Sequence, residues 1–452
     1  MPSPKLRVAI CGGGIGGLAL ALVLHKFSKQ DIQVDLYESK NGFSEFGAGI
    51  TIWKRTWHIL KLLGLEGSIG QIAVHPPVDA PKPGFAFRLS DSGEATENFY
   101  RIIAPFGSIT VHRADMAKIL VDKLPEGFRS HFSKRLVHYT ENDRNIVTMT
   151  FADGTTAEAD ILIGADGVKS FTREKMYRDL AKAAEKNGDI AKAKQLEDFI
   201  LPSWTGTYAY RSLVETEKLL KAQPGHQAAT TPLMYLGKGR HIVSYPISRG
   251  KLINLIGFVS HPEKEGTKLE GPAVIDVPRE EMISPYAGFE TEARQLMECV
   301  ESSSRWGISH IRGLPQYVSG RVALLGDSAH AMTTNIGAGA GQAIEDAYIL
   351  GLILSEDVVN SSNLSAALKV YDSIRRPIGN AFVERSRSMG LAYEFNHIPE
   401  PAQKAGVEPS SPEGLKYLAD FIFETWTANW RELPDKDWNE AQQLIQEHLS
   451  PR

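Results

Sequence analysis

Three glycine-containing motifs, each placed directly after a short apolar run, constrain this chain more than any other feature. Gly12-Gly13-Gly14-Ile15-Gly16-Gly17 follows Arg7–Cys11, Gly164-Ala165-Asp166-Gly167 follows Ala159–Ile163, and Gly326-Asp327-Ser328-Ala329-His330 follows Arg321–Leu325. Short continuous apolar runs read as strands buried on both faces, the pattern of a parallel sheet. One glycine-rich loop could be chance. Three in this order describe a fold that returns to one extended, phosphate-bearing ligand from three directions.

The first loop is the most specific. Gly12, Gly14 and Gly17 fit G-x-G-x-x-G. In that pattern the first glycine makes a tight turn, the second lets a pyrophosphate approach, and the third lets the helix pack on the strand. A helix predicted from Ile15 to Phe27 would turn free N–H groups and the positive end of its dipole toward phosphate. The next strand, Ile32 to Glu38, ends in a carboxylate 21 residues after Gly17, where Glu38 can meet ribose hydroxyls. The alternative is a glycine-rich strand-helix turn with no ligand. The same spacing argues against reading Lys5, Arg7 and the apolar stretch Val8–Leu24 as a secretion signal.

Further along, helices are predicted at Lys54–Leu63, Arg113–Leu124, Thr291–Val300, Ala340–Ser355 and Ala366–Met389. Arg178–Asp198, rich in Ala, Lys, Glu and Asp, is expected as an exposed helix or a mobile insertion without chemistry. Thr205–Val259 reads as strand throughout, with Thr207–Val214, His241–Pro246 and Leu252–Val259 as its clearest pieces. The tail after Pro399, carrying Trp426, Trp430 and Trp438, is expected to form a helical cap.

Taken together, the three motifs resemble the single-component FAD-dependent aromatic hydroxylases, the salicylate hydroxylase and 4-hydroxybenzoate hydroxylase-like flavoprotein monooxygenases. The resemblance runs from Lys5 to about Met389. The segment Ala165-Asp166-Gly167 through Arg173 resembles the family's Asp-Gly motif, tied to both FAD and NADH or NADPH. Gly326-Asp327 resembles its Gly-Asp motif, which implies Asp327 on the flavin's ribityl chain. Val111-His112-Arg113-Ala114-Asp115-Met116 resembles the segment whose arginine lies near the FAD phosphates, and Gly47-Ala48-Gly49-Ile50 the loop bordering the isoalloxazine. Gly337-Ala338-Gly339 opens a helix whose N-terminus, by resemblance, faces the flavin pyrimidine ring. A helix dipole there would stabilise negative charge on reduced flavin. Each piece alone has a plainer reading: a turn for Asp166-Gly167, a helix N-cap for Asp327, a solvated side chain for Arg113. One departure stands out. Thr334-Asn335 occupies positions where many relatives carry a Pro-containing pair such as Pro-His.

The expected fold is α/β: a Rossmann-like FAD-binding domain with an inserted β-sheet substrate domain and a helical C-terminal cap. The boundaries are 1–75, 107–200 and 311–395 for the FAD-binding part, 76–106 and 201–310 for the sheet, and 396–452 for the cap. By resemblance to fungal phenol hydroxylases of the family, Arg211 and Tyr245, on separate predicted strands, are the catalytic candidates that hold a substrate's anionic oxygen. The plainer reading pairs Arg211 with a surface acid and packs Tyr245 in the sheet. His226 and His241 are further candidates, although a lone strand histidine is more often structural.

The expected activity is hydroxylation of a phenolic aromatic acid with O2 and NAD(P)H through a flavin C4a-hydroperoxide, with CO2 leaving if the attacked carbon bears a carboxylate. Such an electrophile wants an electron-rich ring, ideally a phenolate in a dry pocket. No separate nicotinamide domain is visible, so NADH or NADPH should bind transiently at a surface cleft. Three rivals stay open: a secondary-metabolism monooxygenase acting on a larger phenol or alkaloid, an FAD oxidase or dehydrogenase, and a non-catalytic nucleotide-binding regulator. Fold alone does not choose among them.

Composition narrows the partners. Fifty basic against 54 acidic residues give a net charge of −4, which makes no electrostatic case for nucleic acid or anionic membranes. The two cysteines, Cys11 and Cys299, form no metal or redox motif, and no metal site is expected. The best helix-compatible apolar run, Ala347–Leu354, has eight residues and cannot span a bilayer. A cytoplasmic enzyme for a small phenol is expected, with a homodimer left open.

Overall fold

Leu6–Cys11 is buried along nearly all of its length and lies between two strands that run parallel to it, Ile161–Gly164 and Ile32–Tyr37. The structure is a computed structural model that describes residues 5–43, 49–73, 78, 80–93, 97–104 and 109–449. The sheet continues through Val322–Leu324 and Val318–Ser319 on one side and Arg129–His131 on the other, six strands in all. Cys11 pairs with Gly164, and Gly164 with Leu324. Parallel strands in this register release their following loops at one edge, so the three glycine motifs emerge side by side. Ligands in open α/β sheets bind outside such strand ends. The helices Ile15–Phe27 and Gly339–Ser355 pack against each other over this sheet. Gly351 makes that approach close: a Cβ there would sit 2.4 Å from Val23.

A second sheet has eight strands. Its order is Val274–Val277, Ser303–His310, Ser203–Glu215, Leu252–Ser260, Arg240–Ile247, Leu233–Gly237, Lys82–Leu89 and Tyr100–Ala104. Successive strand residues point to opposite faces. Accordingly Ala209, Met234, Val243, Ile256 and Phe258 join one apolar cluster with Trp53, Tyr393 and Trp426. Their neighbours Tyr210, Tyr235, Ile242 and Leu255 join another with Met282, Tyr286 and Leu296. A two-stranded ribbon, Gly49–Ile52 with Ile109–His112, pairs Gly49 with His112 and so sets Gly49 beside the start of the helix Arg113–Asp122.

One expectation needs correction, and two gain detail. Thr205–Val259 is not strand throughout, because Thr216–Ala222 forms a short helix. After Thr216 the run Glu-Lys-Leu-Leu-Lys-Ala contains only good helix formers. Arg178–Asp198 is helical and mostly exposed, as expected, but it is not an insertion apart. It belongs to two helices, Phe171–Lys186 and Ile190–Glu197, N-capped by Ser170 and Asp189, and they bury Met176, Tyr177, Ala181 and Leu196 in the core. The tail is helical, as expected, at Glu400–Ala405, Pro412–Thr427 and Pro434–Leu449, and it packs against both sheets' cores. Leu418, Ile422, Trp426 and Trp430 join the cluster on the eight-stranded sheet, whereas Ala441, Ile445 and Leu449 join the core around the parallel sheet.

Candidate active site

A cavity of about 440 Å³ runs from the first glycine loop, across the ends of the parallel strands, to the inner face of the eight-stranded sheet. Two helix N-termini open onto it. The helix Ile15–Phe27 starts at Gly14 with no side-chain cap and no acidic residue in its first turn. The helix Gly339–Ser355 starts at Ala338, also uncapped by a side chain. Helix-start N–H groups without partners, together with the dipole, favour anions.

The glycines of the first loop divide their tasks. Gly12 has φ +118°, and a Cβ there would lie 2.1 Å from the Ala165 carbonyl oxygen. At Gly17 the corresponding clash is with the Gly12 carbonyl oxygen, also at 2.1 Å. These two make the turn and the helix packing. Gly14 differs: nothing lies within 4 Å of its added Cβ, and it lines the cavity. The Glu38 carboxylate accepts hydrogen bonds from the Gly13 N–H at 2.9 Å and the Lys40 N–H at 2.8 Å, which ties the second strand's end to the loop.

The second and third motifs are stitched together. Arg173, buried, donates to the Ser328 carbonyl at 3.0 Å and the Val168 carbonyl at 2.8 Å. Burial pushes its guanidinium down to about 10. Ser328 Oγ donates to the Gly164 carbonyl at 2.5 Å. The Asp166 carboxylate accepts from Ser170 Oγ at 2.5 Å and from both the N–H and Oγ1 of Thr172 at 3.0 Å, so it clamps the start of the following helix. Behind the third motif, Asp346 accepts from the Gly326 N–H at 2.9 Å and from Arg375 Nε at 2.8 Å, and pairs with His330 Nε2 at 2.5 Å. Burial pushes the Asp346 carboxyl up, but His330 and Arg375 outweigh it and hold it below the usual carboxylate range.

The sheet end of the cavity is aromatic and apolar, lined by Phe85, Met234, Val243, Ile256, Phe258, Trp306, Ile308 and Trp426. Arg211 and Tyr245 are its polar groups from the strands. The Arg211 guanidinium lies over the Trp306 ring, and its buried Nε has no hydrogen-bond partner among the described residues. Burial, helped by nearby Arg113 and opposed by Tyr245, lowers its affinity for a proton. Burial also raises the Tyr245 phenol above its ordinary range, against the pull of Arg211, so the hydroxyl stays neutral at ordinary pH. That hydroxyl donates a long hydrogen bond, 3.4 Å, to the Gly49 carbonyl and also interacts with the Asn254 side chain.

Of the residues singled out from the sequence, Gly14, Gly49, Arg113, Gly167, Arg211, Tyr245, Asp327, Gly337, Ala338 and Gly339 all line this one cavity. Gly12, Gly17, Glu38 and Asp166 do not, and support its wall from behind. Gly47 and Ala48 lie outside the described residues. His241 and His226 do not line the cavity: His241 Nδ1 pairs with Glu394 at 2.9 Å, and His226 Nδ1 accepts from the Ala228 N–H. Asn335 is a loop tie. Its Nδ2 donates to Thr333 Oγ1 at 3.0 Å and the Ser386 carbonyl at 3.1 Å. Sequence reasoning missed Trp53, Phe85, Trp306 and Trp426. Trp53 Nε1 donates to the Gly337 carbonyl at 3.1 Å and so holds the loop that starts the second helix. Among the described residues no cluster of His, Cys, Asp or Glu could hold a metal, and no helix is long and apolar enough to cross a membrane.

An elongated cavity with two uncapped helix starts, a ligand-facing glycine and an aromatic far end fits FAD. Residues 5–213 and 280–386 match the family described as FAD binding domain. The chain is 36% identical over 397 residues to a salicylate hydroxylase of Pseudomonas putida, covering 86% of each chain. It is 32% identical over 473 residues to the FAD-dependent monooxygenase str9 of Strobilurus tenacellus, covering 98% of this chain and 99% of that one. It superposes on a salicylate hydroxylase substrate complex with a TM-score of 0.79 and 32% identity, over 97% of this chain and 98% of that one. The chain therefore belongs to the FAD-binding-domain family of flavin-dependent aromatic hydroxylases, with FAD as its cofactor.

Proposed function

We propose that this chain hydroxylates a phenolic aromatic acid of the salicylate or 4-hydroxybenzoate type, with O2 and NADH or NADPH as co-substrates. One ring C–H, O2, NAD(P)H and a proton give the phenol, water and NAD(P)+. Where the attacked carbon bears a carboxylate, CO2 leaves instead and one more proton is taken up. FAD, when bound, supplies the hydride-accepting and oxygen-activating chemistry. In this reading Gly14, Gly49, Arg113, Gly167, Asp327, Gly337, Ala338 and Gly339 hold it, with Gly12, Gly17, Glu38 and Asp166 shaping their loops. Segments 1–75, 107–200 and 311–395 carry the cofactor, and 76–106 with 201–310 carry most of the substrate wall.

The observation that supports this reading is Arg211. A cation with a buried, unpartnered nitrogen in an apolar chamber calls for an anion to complete it. A substrate carboxylate or phenolate meets that need. The guanidinium favours the ionised phenol, which makes the ring electron-rich. Tyr245 remains neutral and can exchange its long bond to Gly49 for a shorter one to the substrate oxygen. The aromatic walls keep water away from the reacting carbon.

A second reading is oxidation of a larger phenol by the same chemistry. Asn335 favours it, because its Nδ2 is committed to Thr333 and Ser386 and only its acceptor Oδ1 is left unpartnered at the cavity, which offers an ionised phenol no donor. The deciding experiment measures NADH and NADPH oxidation by the FAD-loaded protein with and without salicylate and 4-hydroxybenzoate, following catechol, CO2 and peroxide. Stimulation with stoichiometric oxygenated product supports the first reading. Stimulation with peroxide alone turns the search to bulkier phenols. Indifference to every aromatic acid removes the first reading.

A further inference from the structure

We propose that Trp426, carried by the C-terminal helix Pro412–Thr427, is the residue that sets the ring size this site accepts. The inference rests on the reading of the cavity as a site for an aromatic anion.

The helix is placed by its own sequence. Ser411 Oγ accepts from the Gly414 N–H at 3.0 Å and Pro412 occupies the first turn, a strong helix start. Leu418, Ile422 and Trp426 follow at four-residue spacing, all buried, and form one apolar face. That face lies on the inner cluster of the eight-stranded sheet, and at its end the Trp426 ring reaches the cavity.

The indole is fixed on three sides. Its N–H donates to the Tyr393 hydroxyl at 2.8 Å. It stands edge-on to Trp53, with ring centroids 5.4 Å apart, and to Phe85 at 5.7 Å. Phe85 in turn meets Tyr245 edge-on at 6.0 Å. A row of packed rings thus connects the cap to Tyr245, at the anion-holding end. With its only donor satisfied by Tyr393, the indole offers the cavity shape and an aromatic surface, not a hydrogen bond. On this proposal a one-ring acid anchored on Arg211 stops short of the indole, and a fused second ring extends along the row of rings toward it.

The test uses the FAD-loaded protein as wild type, W426F and W426A, with W426L in place of W426A if the alanine variant does not fold. Dissociation constants for salicylate and 1-hydroxy-2-naphthoate are read from perturbation of the flavin absorbance. The wild type and W426F are expected to prefer salicylate. In W426A the ratio should move toward the naphthoate by about tenfold or more, the size of effect that pocket shape supplies. A purely structural role would weaken both ligands alike, so an unchanged ratio overturns the proposal. Free indole provides an independent readout, since truncated apolar volume binds the fragment removed. It should perturb the flavin of W426A and not that of the wild type. If neither acid perturbs the wild-type flavin, the anion-site reading fails by itself. The wall then stands on the indole response, and its absence overturns it.

Discussion

The Arg211 guanidinium carbon lies 4.8 Å from the centroid of the Trp306 ring, so the charge rests on an aromatic face and not on a carboxylate. Strand register explains the meeting. Ala209 pairs with Trp306 across the sheet, which sets Trp306 diagonal to Arg211 on the same cavity-facing side. A planar guanidinium can stack this way and keep its N–H edge free, which a lysine ammonium cannot. Arg211→Gln should therefore lower kcat/KM for the stimulating aromatic acid by roughly 10²–10³, as removal of a charge-stabilising donor does. Arg211→Lys should recover only part of that loss. Steady-state kinetics on the two variants decide it, and equal activity of all three proteins would remove Arg211 from the substrate site.

Asp346 links the third glycine motif to a set of buried charges. It is fully buried and serves the Gly326 N–H, His330 and Arg375 together, while Arg55 and Arg375 share Glu345 beside it. Removing one partner from such a set leaves a buried charge uncompensated, at about 3–5 kcal/mol. Asp346→Asn should lose stability on that scale in denaturant titration and retain FAD poorly, because the Gly326–Asp327 turn loses its anchor. Normal flavin retention in a destabilised variant would show that the turn holds itself.

The cofactor half was legible in the sequence because its signals are local. An apolar run, a glycine spacing and an uncapped helix start lie within about thirty residues of one another in a βαβ unit. The helix Ile15–Phe27 has the bounds expected of it, and three separate motifs fall at one sheet edge because Cys11, Gly164 and Leu324 are in register. The aromatic wall of the cavity was not legible. Trp53, Phe85, Trp306 and Trp426 come from four distant segments, and only tertiary packing brings them together. The spacing of Leu418, Ile422 and Trp426 marks a buried face but does not say what it covers. Asp166 shows the opposite limit: its motif was visible, yet its carboxylate turns inward to Ser170 and Thr172.

His310 should make the protein sensitive to mild acid. It is 7% exposed, and neither ring nitrogen has a hydrogen-bond partner among the described residues. Burial, outweighing Glu265 and helped by Arg387 and Arg312, pushes its pKa down to about 4. Between about 6.5 and 4 the unfolded chain therefore binds a proton that the folded chain refuses, and stability falls as pH drops through that window. A shift of that size is worth about 3 kcal/mol at most. The difference in unfolding free energy between wild type and His310→Gln, measured from pH 7 to pH 4, should shrink or reverse as pH falls. A difference independent of pH would show that His310 takes up its proton without penalty in the folded state.

Two glycines only two positions apart should respond oppositely to the same added methyl group. At Gly12 a Cβ meets the Ala165 carbonyl at 2.1 Å and the backbone sits at φ +118°. Gly12→Ala must therefore push apart the loops that follow two paired strands, and it should destabilise or prevent folding. At Gly14 a Cβ meets no protein atom within 4 Å, so Gly14→Ala should fold with a thermal midpoint close to that of wild-type apoprotein. Its methyl group projects where the pyrophosphate is to approach the helix start, so the loss should fall on FAD affinity. Apoprotein melting curves and FAD titration by fluorescence separate the two effects. If Gly14→Ala binds FAD as tightly as wild type, the cofactor phosphates do not lie against this helix.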